Sequence, residues 1–121
     1  MTDKELLELA AKAAGIIVDG FEDAPWLEIR YGYTCAISCP SGYWNPLEDD
    51  GDALRLAVKL GLEINRVESM QKTICWYGRS YPCCIVELDS QNGGNPYAAA
   101  RRAITRAAAE IARTTDTGGE A

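Results

Sequence analysis

The segment WNPLEDDGD, residues 44–52, concentrates the side chains of this sequence that could do chemistry. It places an aromatic residue, Trp44, ahead of four carboxylates, and neighbouring carboxylates can act as an acid and base pair or as ligands of a divalent ion. A Trp beside charged residues is also typical of protein-binding hot spots. The segment is therefore a candidate interaction surface and, less favoured, the site of a metal-dependent hydrolase. The candidate interaction residues are Trp44, Glu48, Asp49, Asp50 and Asp52, and the hydrolase would use Asp49, Asp50 or Asp52 with a divalent ion.

The start of a helix needs the same residue types. Asn45 before Pro46, with Glu48 three residues after Asn45, matches a capping box, and Pro is favoured at the first helical position. Carboxylates are stabilised near the positive end of the helix dipole. Trp44 would then pack as the apolar residue before the cap. A helix start thus explains the whole segment without any activity.

Gly51 interrupts this pattern. Glycine is unfavourable inside a helix, so it indicates either a later start, at Asp49 or Asp50, or the close approach of another backbone. The acidic positions also lack the alternating ligands and the final Glu of an EF-hand loop. We therefore assign no catalytic residue, metal ligand or cofactor to the segment.

A second candidate site is cationic and lies where the last helix begins, in GGNPYAAARRAITRAAAEIAR. The free amide groups of a helix start, together with Arg101 or Arg102, could hold an anionic ligand such as a nucleotide signal. Asn95 before a Pro is equally suited to capping that helix. An ordinary solvated helix face also accounts for the arginines.

Five cysteines occur without any histidine. A Cys-His or Ser-His-Asp nucleophile system is therefore excluded, because no imidazole is present to act as the base. Cys35, Cys39, Cys83 and Cys84 could supply four thiolates to zinc, but paired CxxC motifs are absent and two adjacent cysteines on a strand point to opposite faces. Free thiols in a reducing compartment are expected instead.

Length and composition predict one globular domain, residues 1–113, with a flexible tail at 114–121. The chain has 121 residues, of which 47% are hydrophobic, and a net charge of -6. The negative charge argues against a general nucleic-acid binder. No apolar stretch approaches the roughly 20 residues of a membrane span, and the N-terminus does not read as a signal peptide. A cytoplasmic protein is predicted.

Hydrophobic periodicity predicts an α+β fold in which three helices pack on a mostly antiparallel sheet of about four or five strands. The stretch WLEIRYGYTCAIS has the clearest period of two, so we expect one long strand there, or a strand bent at Gly32, with its odd-numbered residues buried. In the middle helix, Leu54, Ala57 and Val58 are the expected buried stripe. The predicted helices are 3–14, 47–60 and 96–113, and the predicted strands are 16–20, 27–38, 62–68, 72–77 and 82–88.

The middle and C-terminal two-thirds of the chain resemble the phage ABA sandwich domain, a family of small bacteriophage and prophage proteins. This resemblance implies an α-β-α sandwich and a phage or prophage origin, hence the cytoplasm of a bacterial host. It implies no activity, and Gly51 and the Cys-rich hairpin depart from the pattern. The matching features are Trp44 and Pro46, the Asp at 49 or 50, Ala53 and Leu54, and the final helix around Arg102 and Ile104.

Three functions follow from these observations. The first is a non-enzymatic phage accessory protein that binds a host protein, as an inhibitor of host metabolism or defence, and it rests on the resemblance and the acidity. The second is a binder of a small anionic ligand, and the third is the divalent-metal-dependent hydrolase. A homodimer is also considered, because small proteins with an unprotected sheet edge commonly pair.

Overall fold

The structure is a computed structural model and describes residues 1–78 and 83–114. Within these ranges the chain forms four α-helices, six strands and two short 3-10 helices, at Glu68–Met70 and Asp89–Asn92. The α+β class predicted from the sequence is confirmed. The helices are α1 (Asp3–Ala14), α2 (Pro25–Tyr31), α3 (Asp50–Leu60) and α4 (Pro96–Thr114), and the strands are β1 (Gly20–Glu22), β2 (Ala36–Cys39), β3 (Gly42–Trp44), β4 (Glu63–Val67), β5 (Lys72–Tyr77) and β6 (Cys83–Leu88).

The strands form two separate antiparallel sheets, with the orders β1-β2-β3 and β4-β5-β6. A single sheet of four or five strands was predicted, and the strand and helix counts were both wrong. The second sheet follows the sequence closely, since the predicted strand 72–77 is β5 and the strands 62–68 and 82–88 correspond to β4 and β6. Residues 79–82, which include the link between β5 and β6, lie outside the described residues.

The largest error concerns the predicted strand 27–38. Residues 25–31 form the helix α2, which begins with Pro25 at its first position and ends at Gly32, in the left-handed conformation with φ 82°. Of this helix only Leu27 is buried, so the alternation of apolar residues does not reflect alternating burial. Pro at the start and Gly after the end are helix signals. They indicate the structure of this segment correctly, whereas the alternation of apolar residues does not. The strand of this region is the short β2.

Helices α1 and α4 begin where the sequence predicts. The Oγ1 of Thr2 accepts a bond from the amide of Glu5, whose carboxylate accepts one from the amide of Thr2, so α1 starts with a capping box. In α4 the side-chain oxygen of Asn95 accepts bonds from the amides of Tyr97 and Ala98. The helix continues to Thr114, one residue beyond the prediction, and residues 115–121 of the predicted tail lie outside the described residues.

Helix α3 starts late, as Gly51 indicated. Its cap is Asp49, whose carboxylate accepts a bond from the amide of Asp52 at 2.8 Å. The helix therefore begins at Asp50 and not at residue 47. The predicted buried stripe is also partly wrong, because Leu54 and Val58 are exposed. The residues that α3 buries are Asp52, Ala53, Leu56 and Ala57.

The main core lies between α1, α3 and α4 and the inner face of the second sheet. Small residues let these elements approach closely, since the core cluster contains many Ala side chains of α1 and α4 around larger ones such as Leu7 and Leu56. The opposite face of the second sheet carries Trp76, Val86 and Leu88, which stay more than a third exposed. Among the described residues no helix covers that face. The α-β-α layering implied by the resemblance is not found at this sheet.

Candidate functional site

Asn45 is fully buried. It was predicted to cap α3, and this prediction is wrong, because the cap is Asp49. Its side-chain oxygen accepts a bond from the amide of Leu47 at 2.8 Å, which makes a turn ahead of the helix. Its Nδ2 donates to the carbonyl oxygen of Cys35 at 2.7 Å. The side chain therefore joins the start of the acidic segment to the chain before β2.

Asp52 is the centre of the acidic segment and is only 5% exposed. Its Oδ2 accepts bonds from the amide of Asn45 at 3.0 Å and from the hydroxyl of Tyr33 at 2.9 Å. Its Oδ1 accepts a bond from Arg55 at 2.7 Å. Burial, reinforced by the hydrogen bond to this carboxylate and by its charge, raises the pKa of Tyr33 well above its ordinary value. Tyr33 therefore keeps its proton and acts as a donor.

The other three acids of the segment make further contacts, and Asp49 shares a partner with Asp52, since its Oδ2 lies 3.9 Å from Nη2 of Arg55. Both oxygens of Glu48 accept bonds from Thr34, from its amide at 2.8 Å and from its hydroxyl. Asp49 caps α3, and Asp50 pairs with Arg101 of α4 at 2.6 Å. These contacts point in different directions along the chain. The four carboxylates therefore do not converge on one space in which a substrate or an ion would sit.

Trp44 belongs to the core and is only 8% exposed, but it is not the residue before the cap, since Asp49 caps α3. A shallow cleft of about 190 Å³ lies beside it, between the end of α1 and the middle of α3. Arg55 and Lys59 are part of its lining, but Arg55 is bound to Asp52. Trp44 therefore offers little surface to a partner.

Together these contacts form an anchor for the chain between α2 and β2. Tyr33, Thr34 and the carbonyl of Cys35 are each held by a side chain of residues 45–52. We call these bonds the acidic clamp. Within the described residues no buried side-chain nitrogen or oxygen lacks a hydrogen-bond partner, and no group of three or more Cys, Asp or Glu could hold a metal ion.

The cationic candidate site is brought close to the acidic one. Arg101 donates its Nε to the carbonyl of Leu47 at 2.9 Å and pairs with Asp50, while Arg102 pairs with Asp3 at 3.2 Å. The side chain of Asn95 already occupies two amides at the start of α4. A cleft of about 250 Å³ lies between these elements. Its lining residues are Asp3, Asn45, Leu47, Glu48, Asn92, Ala98 and Arg102.

This cleft is poorly suited to an anion. Two of its lining residues, Asp3 and Glu48, are acidic, and its one cation, Arg102, is already paired with Asp3. A bound anion would have to displace that carboxylate and remain close to the other. The negative charges of Asp3 and Glu48 would repel a bound anion.

Sequence reasoning missed an aromatic cluster on the surface of α2 and β3. The rings of Trp26, Tyr31 and Tyr43 lie with their centroids 5.0 to 6.4 Å apart and at steep angles to one another. Trp26 is 42% exposed, and Ile29 beside it on α2 is 87% exposed. We call Trp26, Ile29, Tyr31 and Tyr43 the aromatic patch. The helix signals at Pro25 and Gly32 were the indication in the sequence that Trp26, Ile29 and Tyr31 share a helix.

A buried polar network between the second sheet and α4 was also missed. Nη1 and Nη2 of Arg66 donate to Asp89, with the Nη1 contact at 2.6 Å. Glu87 pairs with Arg106 and accepts a bond from Asn92 at 2.9 Å. The bonds from Arg66 lower the pKa of Asp89 below its ordinary value of 3.8. Each charge in this network has an opposite charge in contact with it, so the network has a structural role.

This pairing predicts a specific pH dependence. Because the pKa of Asp89 is lowered in the folded state, its contribution to stability is present above about pH 4 and is lost as the pH falls through the folded pKa. We expect Asp89→Asn to be less stable than the wild-type protein at pH 6, with the difference in unfolding free energy narrowing as the pH falls below about 4. Urea unfolding at a series of pH values measures this difference. A difference that stays constant across the range would contradict the ion pair.

The cysteines lie in different environments. Cys75 is buried, which raises the pKa of its thiol to about 11, and burial also raises the pKa of Cys35. Cys83 and Cys84 are exposed on opposite faces of β6. All five lie in the described ranges, and none of them forms a disulfide there. The four thiolates considered for zinc are not brought together in the described residues.

No protein-family model matches this chain, and neither a curated protein nor a solved structure shows significant similarity to it. None of the helices in the described ranges combines the length and the apolar composition needed to cross a bilayer.

Proposed function

We propose that this chain is a non-enzymatic protein-binding module and that it contacts its partner through the aromatic patch. The exposure of Ile29 carries this proposal, since an isoleucine that is 87% exposed beside a 42% exposed Trp has no role in the fold. Trp and Tyr are the residue types most enriched at interaction hot spots. The acidic clamp supports the proposal, because it fixes the chain that follows α2 and so holds the patch in place.

The packing of the rings indicates what kind of ligand the patch takes. A cage for a quaternary ammonium group needs space between the rings, since the cation lies within about 6 Å of each centroid and in contact with each ring face. Here the rings touch one another at 5.0 to 6.4 Å, so they fill that space themselves. The patch therefore offers a closely packed aromatic surface. It fits an apolar groove on a partner protein better than it fits a small cation.

Charges around the patch define the partner further. Glu22 and Asp23 precede α2, and Glu28 and Arg30 lie on it, which gives three carboxylates and one guanidinium. The whole chain carries a net charge of -6. Electrostatic complementarity therefore favours an apolar groove with a basic rim, and it speeds association at low salt.

The nature of the partner is inferred from the sequence resemblance. We propose, from the resemblance to the phage ABA sandwich domain, a phage or prophage origin, a protein of the bacterial cytoplasm as the partner, and inhibition of host metabolism or defence as the outcome. The aromatic patch is consistent with such a role but does not depend on it.

The small anionic ligand has less support, since Arg101 and Arg102 are both paired with acids. The hydrolase also has less support, because its acids do not converge.

A paired comparison tests this function. The wild-type chain and the variant Trp26→Ala/Ile29→Ala are used as baits in bacterial lysate, and retained proteins are then titrated with each bait in purified form. We expect the variant to bind at least about tenfold more weakly, because central aromatic and aliphatic anchors typically contribute more than 1 kcal/mol each. Rising salt should weaken wild-type binding through slower association.

Val58→Ala is the matched control, because Val58 is 73% exposed on α3 and lies outside the patch. It should bind like the wild-type protein. Circular dichroism of both variants checks that the fold is intact. Equal affinity of the patch variant and the control would contradict the assignment of the patch, and a wild-type bait that retains no protein at any salt concentration would contradict the binding function itself.

A further inference from the structure

The second sheet has an outer face whose side chains form a regular grid. Strand pairing places Trp76 between Glu63 and Cys84, Ile74 between Asn65 and Val86, and Lys72 between Val67 and Leu88. These nine residues alternate with the inner residues that pack on α4, so they all point the same way. We call this grid the outer face. Trp76, Val86 and Leu88 remain 37%, 41% and 36% exposed, although an apolar sheet face is normally covered.

We propose that the outer face binds the same face of a second copy of this chain, and this does not depend on the proposed function. The charges support a second copy as the occupant. The outer face holds one acid, Glu63, and one base, Lys72, so it is neutral on a chain whose net charge is -6. Two copies repel each other less through this face than through a surface that carries the excess of acid.

The positions of the two charges make the face complementary to itself. Glu63 is in the row of Trp76 at one end of the grid, and Lys72 is in the row at the other end. A two-fold axis that lies in the interface, perpendicular to the strands, exchanges these end rows and superposes Ile74 on Ile74. Lys72 of the second copy then faces the ring of Trp76 and lies next to Glu63. Cation-π and ion-pair contacts would form twice in the dimer.

Within residues 1–78 and 83–114, Trp76, Val86 and Leu88 stay more than a third exposed, so no described element covers the outer face. The size of the face fits a weak dimer. Three strands about 4.8 Å apart and about five residues long span only a few hundred Å². A stable interface of standard size buries about 800 Å² on each partner. We therefore expect a dissociation constant in the micromolar range.

Charge reversal tests the pairing directly. Sedimentation velocity over a concentration series gives the dissociation constant of the wild-type protein and of its variants. We expect Lys72→Glu to raise it about fivefold or more, and Glu63→Lys/Lys72→Glu to return it towards the wild-type value, since the swap restores opposite charges across the interface. Lys59→Glu makes the same change of charge on α3, away from the face, and should have a much smaller effect. Trp26→Ala/Ile29→Ala should dimerise normally.

The two adjacent cysteines provide an independent readout. Cys84 lies on the outer face, and Cys83 is exposed on the other side of the same strand. We expect alkylation of Cys84 to slow as the protein concentration rises through the dissociation constant, while the rate at Cys83 stays unchanged. A monomer at all concentrations would overturn the proposal. So would a dimer that is insensitive to Lys72→Glu and leaves Cys84 accessible, because it would associate through a sheet edge or another surface.

Discussion

Replacing Asp52 with Ala is expected to destabilise the protein by about 3 kcal/mol, because it leaves the buried amide of Asn45 and the hydroxyl of Tyr33 without their acceptor. Arg55 also loses its ion pair, but it lies on the surface and its charge returns to solvent. In a chain of this length such a loss lowers the melting temperature by about 10 °C. Thermal and urea unfolding of the purified variant measure the effect.

Asp52→Asn is the informative control. An amide has nearly the same shape and keeps one oxygen that can accept both bonds, so we expect a loss of only about 1 kcal/mol. Whether removal of the carboxylate lowers or raises the stability also distinguishes a structural role of Asp52 from a functional one. Carboxylates gathered for binding or catalysis are often held at a cost in stability, and removing one then stabilises the protein. A variant Asp52→Ala that melts higher than the wild-type protein would therefore show that the segment is a functional site.

Leu27→Ala should have an effect of similar size, about 3 kcal/mol, because Leu27 is fully buried and the truncation leaves a cavity under α2. It is the only residue of this seven-residue helix that is buried. Its loss should therefore loosen the helix itself. We expect the near-ultraviolet circular dichroism contributed by Trp26 to fall, and binding through the aromatic patch to weaken although no patch residue has changed.

Two further substitutions in α2 separate burial from helix propensity. Leu27→Met conserves volume and should cost less than about 1.5 kcal/mol. Ile29→Ala removes a similar side chain from an exposed position and should change stability by no more than about 0.5 kcal/mol. If Leu27→Ala were as mild as Ile29→Ala, α2 would not be fixed to the domain through Leu27.

Elements with strong local signals were predictable from the sequence. The capping box of Thr2 and Glu5, the Asn-Pro start of α4 and the alternation in β5 each specify their element within a few residues. Helix α2 was missed because seven residues that are mostly exposed can match a period of two by chance. The start of α3 was predicted at residue 47, with Asp49 or Asp50 as the alternative, because Asn45 and Asp49 are both good caps, and tertiary contacts decide between them.

The candidate sites were less predictable, because their meaning depends on partners far along the chain. Asp52 meets Tyr33 across 19 residues, and Arg101 meets Leu47 across 54. No local pattern shows that an acid at a helix start has a buried hydroxyl as its donor. Likewise, the aromatic patch joins α2 to β3, and the outer face depends on strand register. Sequence periodicity alone specifies neither.

We infer that the acids of residues 45–52 hold the chain after α2 in place. A double-mutant cycle of Tyr33→Phe and Asp52→Ala, followed by urea unfolding, tests it most directly, since the cycle isolates the interaction between the two side chains. We expect each single variant to be less stable than the wild-type protein and the coupling energy to be about 1 kcal/mol. Additive effects with no coupling, or a gain of stability in either single variant, would contradict the claim.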